Sequence, residues 1–171
     1  MEQQKKLTQR STLKMSNHHW CYTWAHDIDQ YNLGPWIDEN KTSKENWWSI
    51  YESKEELSDY TKTLRGKIEE YIAPVEYMGV WDYYEGFVDD LGPHVDSGAN
   101  ESAVVFFCPR GELTVTMHDK ETKEVLDSVV LNNKNGMCLY HTEFMHDIQG
   151  VGDLVVFGLS KDFNEKSYFA K

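Results

Sequence analysis

Two histidines and one aspartate occur in this chain in an arrangement that is typical of a metal site. His94 and Asp96 are separated by one residue, and His146 follows in a later segment of the sequence. Two neutral imidazoles and one carboxylate can occupy one face of an octahedral ion and leave three positions open, which suits non-haem Fe(II). Because a His-x-Asp pattern also arises by chance, the assignment depends on the surrounding sequence.

The segments around this triad have the composition of β-strands. Residues 103–107 are a short run of β-branched and aromatic side chains, which is typical of a buried strand. Residues 110–117 predict a turn followed by an alternating strand, and two more strands are predicted at 136–140 and 154–160. Upstream, residues 84–94 predict a strand, a turn and the beginning of the next strand. The triad is therefore expected at the ends of sheet strands.

The order of these motifs resembles the Fe(II)- and 2-oxoglutarate-dependent dioxygenases, and most closely their prolyl-hydroxylase branch. The motifs are Tyr84-Glu85-Gly86, Pro93-His94-Val95-Asp96, Gly111-Glu112-Leu113, Gly136 to Tyr140 and His146 to Val151, within residues 77–163. The resemblance implies a mainly β fold, a double-stranded β-helix or jelly roll with supporting N-terminal helices and the metal inside one mouth. It also implies that His94, Asp96 and His146 bind iron and that Tyr84 contacts 2-oxoglutarate.

Three side chains near the triad have other interpretations. His141 lies five residues before His146 and is the alternative third ligand, but the residues that follow His146 fit the family pattern better. Tyr84 could equally be a tyrosine of the apolar core, and the family resemblance alone favours its contact with the co-substrate. His118, at the end of a predicted strand, is expected to face solvent.

The sequence departs from the family pattern where the far carboxylate of 2-oxoglutarate is usually bound. The family has an Arg or Lys nine or ten residues after the second histidine, and here Val155 and Val156 occupy these positions. A buried dicarboxylate needs a cationic partner, because an unpaired buried charge costs several kcal/mol. Arg110 is the first candidate for this role and Lys161 is the second.

The resemblance implies a hydroxylase that needs Fe(II) and 2-oxoglutarate, with ascorbate as a candidate reductant. It implies no catalytic side chain beyond the metal ligands. The expected substrate is a prolyl side chain, a free amino acid or another small molecule. Two alternatives stay open. One is a cupin-like metalloprotein whose chemistry does not use 2-oxoglutarate, and the other is a jelly-roll binding module without activity.

Composition and charge narrow the expected partners. The formal net charge is −12, and wide contact with a nucleic-acid backbone needs clustered Lys and Arg, so no nucleic-acid partner is expected. No run of about eighteen apolar residues is present, so no membrane span is expected. The polar start of the chain has no secretory pattern, and the three cysteines are scattered, which together favour a cytoplasmic location. The sequence does not indicate an oligomeric state.

The chain is expected to form a single domain that follows a polar arm. Residues 1–17 are predicted to be a mobile arm because of their composition. Residues 18–171 are sufficient for one domain with its own apolar core. Within this domain we expect helical support over about residues 43–73 and the metal-binding core over about residues 77–163.

The supporting part of the domain is predicted to contain one strand and two helices. Residues 20–24 alternate aromatic and small side chains, which predicts a strand added to the main sheet, and residues 32–35 predict a turn. A short helix is predicted at 43–51 and a longer one from Ser53, as its N-cap, to about Ile72. The apolar residues of the longer helix recur at helical spacing, so one face can pack against the sheet.

Overall fold

The computed structural model describes residues 13–40, 49–53, 59–83, 92–95, 103–139 and 144–159. The strands are β1 (Leu13–Met15), β2 (Tyr22–Ala25), β3 (Ser49–Ser53), β4 (Val75–Tyr83), β5 (Val104–Phe107), β6 (Gly111–His118), β7 (Val125–Leu131), β8 (Asn135–Leu139) and β9 (His146–Leu159). The helices are α1 (Leu33–Asn40) and α2 (Asp59–Tyr71), with short 3-10 helices at Asn17–His19 and Asp29–Tyr31. The fold is therefore mainly β, as expected.

The strands form one curled antiparallel sheet. Hydrogen-bonded neighbours follow the order β1-β2-β8-β5-β9-β4-β3, and β6 pairs with both β7 and β9. The first half of β9 pairs with β6, whereas its second half pairs with β4 and β5. Because β9 belongs to both parts, the sheet folds over on itself. This topology confirms the expected jelly roll.

Side chains of the central strands alternate between two apolar cores. In β5, Val105 and Phe107 face one core while Val104 and Phe106 face the other, because successive strand residues point to opposite faces. The outer core lies between sheet and helices and includes Trp24, Ile37, Leu64, Ile68, Phe107 and Phe157. The inner core lies inside the jelly roll and includes Trp20, Phe106, Leu113, Val115, Leu139 and Val156.

The helical support differs from the prediction in its boundaries. Residues 33–40 form α1 where a turn was predicted, and α1 buries Trp36 and Ile37 in the outer core. Ser53 ends β3 and pairs with Tyr77 of β4, so its predicted role as a helix N-cap is wrong. Pairing with a neighbouring strand has overridden the local capping pattern, and the same pairing makes residues 49–51 a strand. None of the helices described is long and apolar enough to cross a membrane.

Part of the segment that was predicted to be a mobile arm forms a strand. Leu13–Met15 forms β1, which pairs with β2 at one edge of the sheet. Leu13 and Met15 pack against the outer core, and this apolar contact explains why the segment is ordered into the sheet. The predicted strand at 20–24 is confirmed as β2, which pairs with β8. Residues 1–12 lie outside the described part of the chain.

Candidate metal site

The structure brings His94 and His146 together at the beginning of β9. The backbone N–H of each residue donates to the carbonyl oxygen of the other, both at 2.9 Å. Their ring centroids are 4.7 Å apart, and the rings are tilted by 51°. His146 is 1% exposed and His94 is partly exposed, so the pair lies at the edge of the buried interior. Two distant segments of the sequence thus place two imidazoles side by side, as the metal-site prediction requires.

The hydrogen bonds of both rings fix the same tautomer. His94 Nδ1 lies 2.8 Å from the carbonyl oxygen of Gly92, and His146 Nδ1 lies 2.9 Å from that of Phe144. A carbonyl oxygen can only accept, so each Nδ1 carries a proton and donates it. In a neutral ring, Nε2 then holds the lone pair that a metal ion needs. Histidine ligands in metal sites commonly have such an outer partner on the second nitrogen.

Apolar side chains surround His146 on the inner face of the sheet. Met117 is its register partner on β6 and is 7% exposed. The Phe106 ring centroid lies 6.3 Å from the centroid of the His146 ring. Both residues belong to the inner core. The imidazole therefore lies against a wall that excludes water, and electrostatic interactions are stronger in such surroundings.

Three of the remaining predicted site residues are not placed by the structure. Asp96, Tyr84 and Lys161 lie outside the described residues, as does the alternative ligand His141. Among the residues described, no group of three or more His, Cys, Asp or Glu side chains is arranged to hold a metal ion. Asp96 therefore stays a prediction. The two imidazoles that are described fit a divalent ion, because in both rings the proton is on Nδ1 and Nε2 can bind the metal.

Arg110 lies at the opposite end of the pairing between β6 and β9, which we call the β6–β9 ladder. Gly111 pairs with Gly152 at that end, whereas Met117 pairs with His146 at the other end. Six strand residues span about 20 Å. This separation from the histidine pair does not support the expected role of Arg110 as the anchor for 2-oxoglutarate, which stays a sequence-based prediction.

Two carboxylates already pair with Arg110. Its Nε donates to Asp153 Oδ2 at 2.5 Å, and its Nη1 donates to Asp38 Oδ1 at 2.9 Å. Burial lowers the pKa of Arg110, but the hydrogen bonds that Arg110 donates to the two aspartates outweigh burial and raise it. Asp153 is 2% exposed and belongs to β9, while Asp38 belongs to α1. The guanidinium thus links α1 to the jelly roll.

The position where the family usually has its cation is apolar here. Val155 is fully buried in the outer core, and Val156 is buried in the inner core. None of the Lys and Arg side chains in the described ranges is buried. Lys161 remains the sequence-based candidate for a carboxylate anchor.

A polar pair lies on the other face of the strand that carries His146. His118 Nε2 lies 3.2 Å from Asp147 Oδ2, and both side chains are 9% exposed. His118 Nδ1 lies 3.0 Å from the carbonyl oxygen of Lys123. The prediction that His118 faces solvent is wrong, because its ring is covered and paired. Sequence reasoning missed this pair, since the partner comes from a neighbouring strand.

A cavity of about 350 Å³ opens beside the same end of the ladder. Its apolar walls are formed by Met117, Leu126, Phe144 and Met145, and the turn after β6 supplies polar residues. Met117 and Phe144 also pack in the inner core. His94 and His146 are not among its lining residues, so the cavity lies beside the segment that precedes His146.

Comparisons with known proteins identify the fold. No known protein family matches the chain, and no curated protein matches it in sequence. The solved structure of OsALKBH1 matches with a TM-score of 0.59 at 9% identity, over 86% of this chain and 99% of that one. Two HppE structures with substrate, containing Co(II) and Fe(II), match at 15% and 16% identity with TM-scores of 0.39 and 0.40. They cover 66% and 71% of this chain and 52% and 59% of theirs. The first match shows the fold alone, and the other two are too distant to add to it.

Proposed function

We propose that this chain, which has the fold of the Fe(II)- and 2-oxoglutarate-dependent dioxygenase superfamily, is itself a non-haem Fe(II) dioxygenase. The observation that supports the proposal is the antiparallel pair of His94 and His146. Both rings donate from Nδ1 to a carbonyl oxygen, so both can bind a divalent ion through Nε2. Asp96 would complete a facial triad of two histidines and one carboxylate.

The chain's own residues would orient the ligands and exclude water. The carbonyl groups of Gly92 and Phe144 hold the two imidazole rings in place. Phe106 and Met117 form the apolar wall beside His146. When bound, Fe(II) would supply the activation of O₂ for hydroxylation of the substrate. No general base among the described residues is needed for this role.

We propose a small molecule, or a single side chain of a peptide, as the substrate. The cavity of about 350 Å³ is within the size range of small-ligand sites. A prolyl side chain and a free amino acid both remain candidates, and the comparisons do not single out the prolyl-hydroxylase branch. The net charge of −12 disfavours a nucleic-acid substrate.

The proposed co-substrate is 2-oxoglutarate, with Lys161 as the cation for its far carboxylate, Tyr84 as a further contact and ascorbate as the reductant. One observation favours a second candidate function. Val156 lines the inner core, and the described Lys and Arg side chains are all at least partly exposed. This apolar interior suits cupin-like iron chemistry that does not use 2-oxoglutarate.

The test is anaerobic loading of the full chain with Fe(II), followed by exposure to O₂ with ascorbate and 2-oxoglutarate. We expect succinate release by the wild type, no release by His146→Ala and strongly reduced release by Lys161→Ala. Consumption of O₂ without succinate would favour the cupin-like alternative. Bound iron without either product would favour a binding module, and failure to bind iron would contradict the proposal.

A further inference from the structure

His118 and Asp147 form a buried pair directly behind His146. Successive residues of a strand point to opposite faces, so His146 faces the inner core and Asp147 faces the outside of the β6–β9 ladder. His118 Nε2 lies 3.2 Å from Asp147 Oδ2, and each side chain is 9% exposed. The pair therefore links β6 to β9 at the residue next to the proposed ligand.

His118 is itself fixed at two further points. Its Nδ1 lies 3.0 Å from the carbonyl oxygen of Lys123, in the turn between β6 and β7. Its backbone N–H donates to the carbonyl oxygen of Met145 at 2.9 Å. Because Nδ1 donates to this carbonyl oxygen, the ring can also pair with the Asp147 carboxylate through Nε2 when both ring nitrogens carry a proton.

Asp147 depends on this partner. Asp147 Oδ1 and His118 Nε2 are both buried without a hydrogen bond in the described part of the chain, so the 3.2 Å contact between Nε2 and Oδ2 is an ion pair rather than a hydrogen bond. Among the described residues, Gln149 Nε2 is the one further donor to Oδ2, at 3.5 Å. A buried carboxylate is costly without compensation, so loss of His118 would force Asp147 towards solvent.

We propose that His118 and Asp147 are positioning residues for the metal ligand His146, an inference that rests on the proposed metal site. The start of β9 is held on both faces: the Phe144 carbonyl binds the His146 ring, and His118 binds Met145 and Asp147. Without the contact between His118 and Asp147, the first residues of β9 can rotate about the strand axis and turn His146 Nε2 away from the ion. Groups hydrogen-bonded to a metal ligand typically change metal affinity by about 10- to 100-fold, and we expect the lower end of this range because the pair lies on the opposite face of β9 from the His146 ring.

The experiment measures Co(II) binding to the full chain by calorimetry and by the d–d absorption of the bound ion. The variants are Asp147→Asn and His118→Gln, which keep similar size but weaken the pair. The matched control is Thr114→Val, on the same face of β6 but opposite Gln149. We expect about tenfold weaker binding and a changed absorption spectrum in both test variants, and neither change in the control.

Unchanged affinity and spectrum in both test variants would overturn the inference and leave the proposed metal site intact. Absence of Co(II) binding by the wild type would overturn both. An equal loss of affinity in Thr114→Val would also overturn the inference, because it would show a general loss of stability. If His118→Gln does not fold, Asp147→Asn decides alone, since it differs from the wild type by one atom and its charge.

Discussion

The two ends of the β6–β9 ladder use polar residues in different ways. At the Gly111 end, Arg110 forms ion pairs with Asp153 and Asp38 that link α1 to the sheet. At the Met117 end, His146 faces an apolar core, and the Nδ1 atoms of His94 and His146 donate to carbonyl oxygens. The register of the ladder keeps the two ends about 20 Å apart. We infer that one end stabilises the fold and the other binds the metal.

The largest effect is expected at the histidine end. His146→Ala removes a ligand that is 1% exposed, so it should abolish Fe(II) binding. His141→Ala is the matched control and should keep full binding. Metal analysis and calorimetry measure both variants. An equal loss of iron in the two variants would overturn the choice of His146.

The second largest effect is expected at the Gly111 end of the ladder. Arg110→Ala leaves the buried carboxylate of Asp153 without its partner, which should lower the free energy of unfolding by about 2 kcal/mol. This is below the usual range for a fully buried pair, because the Arg110 side chain is 36% exposed. Urea unfolding measures the loss, and Co(II) affinity should stay unchanged. Weaker Co(II) binding in this variant would mean that the two ends are not independent.

The more exposed ion pair of Arg110, with Asp38, should contribute less to the free energy of unfolding than its pair with Asp153. The Asp38 side chain is 60% exposed, so Asp38→Asn should cost less than about 1 kcal/mol. Asp153→Asn, at a side chain that is 2% exposed, is the comparison and should cost more. Urea unfolding of both variants gives the ranking. A larger loss in Asp38→Asn would show that α1, rather than β9, is the main partner of Arg110.

Five of the strands could be predicted from sequence because they are apolar runs or alternate clearly, namely β2, β5, β6, β8 and the second half of β9, whereas β1, β3, β4 and β7 were not predicted. Val104–Phe107 and Asn135–Leu139 lie within one residue of their predicted bounds. β7 was missed because its pattern mixes exposed valines with Asp127, which accepts a hydrogen bond from Trp20 Nε1 at 2.8 Å. That bond joins two distant segments, and no local pattern reveals it.

The site could be predicted only in part for the same reason. The spacing of the histidines and the family resemblance were sufficient to pair His94 with His146. Elimination selected Arg110 as the anchor because the sequence shows which cations exist but not what they contact. Its partners Asp38 and Asp153 are 72 and 43 positions away in the chain. Only the folded register shows that they neutralise this arginine far from the histidine pair.

The smallest expected effect comes from a third region, away from both ends. Burial lowers the pKa of His26 below 6.5, Lys67 lowers it further and Asp27 opposes the shift. As the pH falls, His26 therefore takes up a proton in the unfolded chain at a higher pH than in the folded chain. The contribution of neutral His26 to stability is fully present above about pH 6.5. It is lost as the pH falls from there through the pKa of His26 in the folded chain.

His26→Gln should reduce the loss of stability between pH 7.5 and pH 5.5, as measured by urea unfolding at both values. Gln removes the titrating group and keeps a polar side chain beside Tyr31, which His26 contacts. The same pH dependence in wild type and variant would assign the acid response elsewhere, including to the ends of the ladder.

The most direct test of the metal site is anomalous diffraction at the iron absorption edge, from crystals of the full chain grown anaerobically with Fe(II). We predict one peak at about 2.1 Å from Nε2 of both His94 and His146, the usual length of a metal–imidazole bond, with Asp96 as the third protein ligand. A peak at His141 in place of His146, a peak on other residues, or no peak at all would contradict the account.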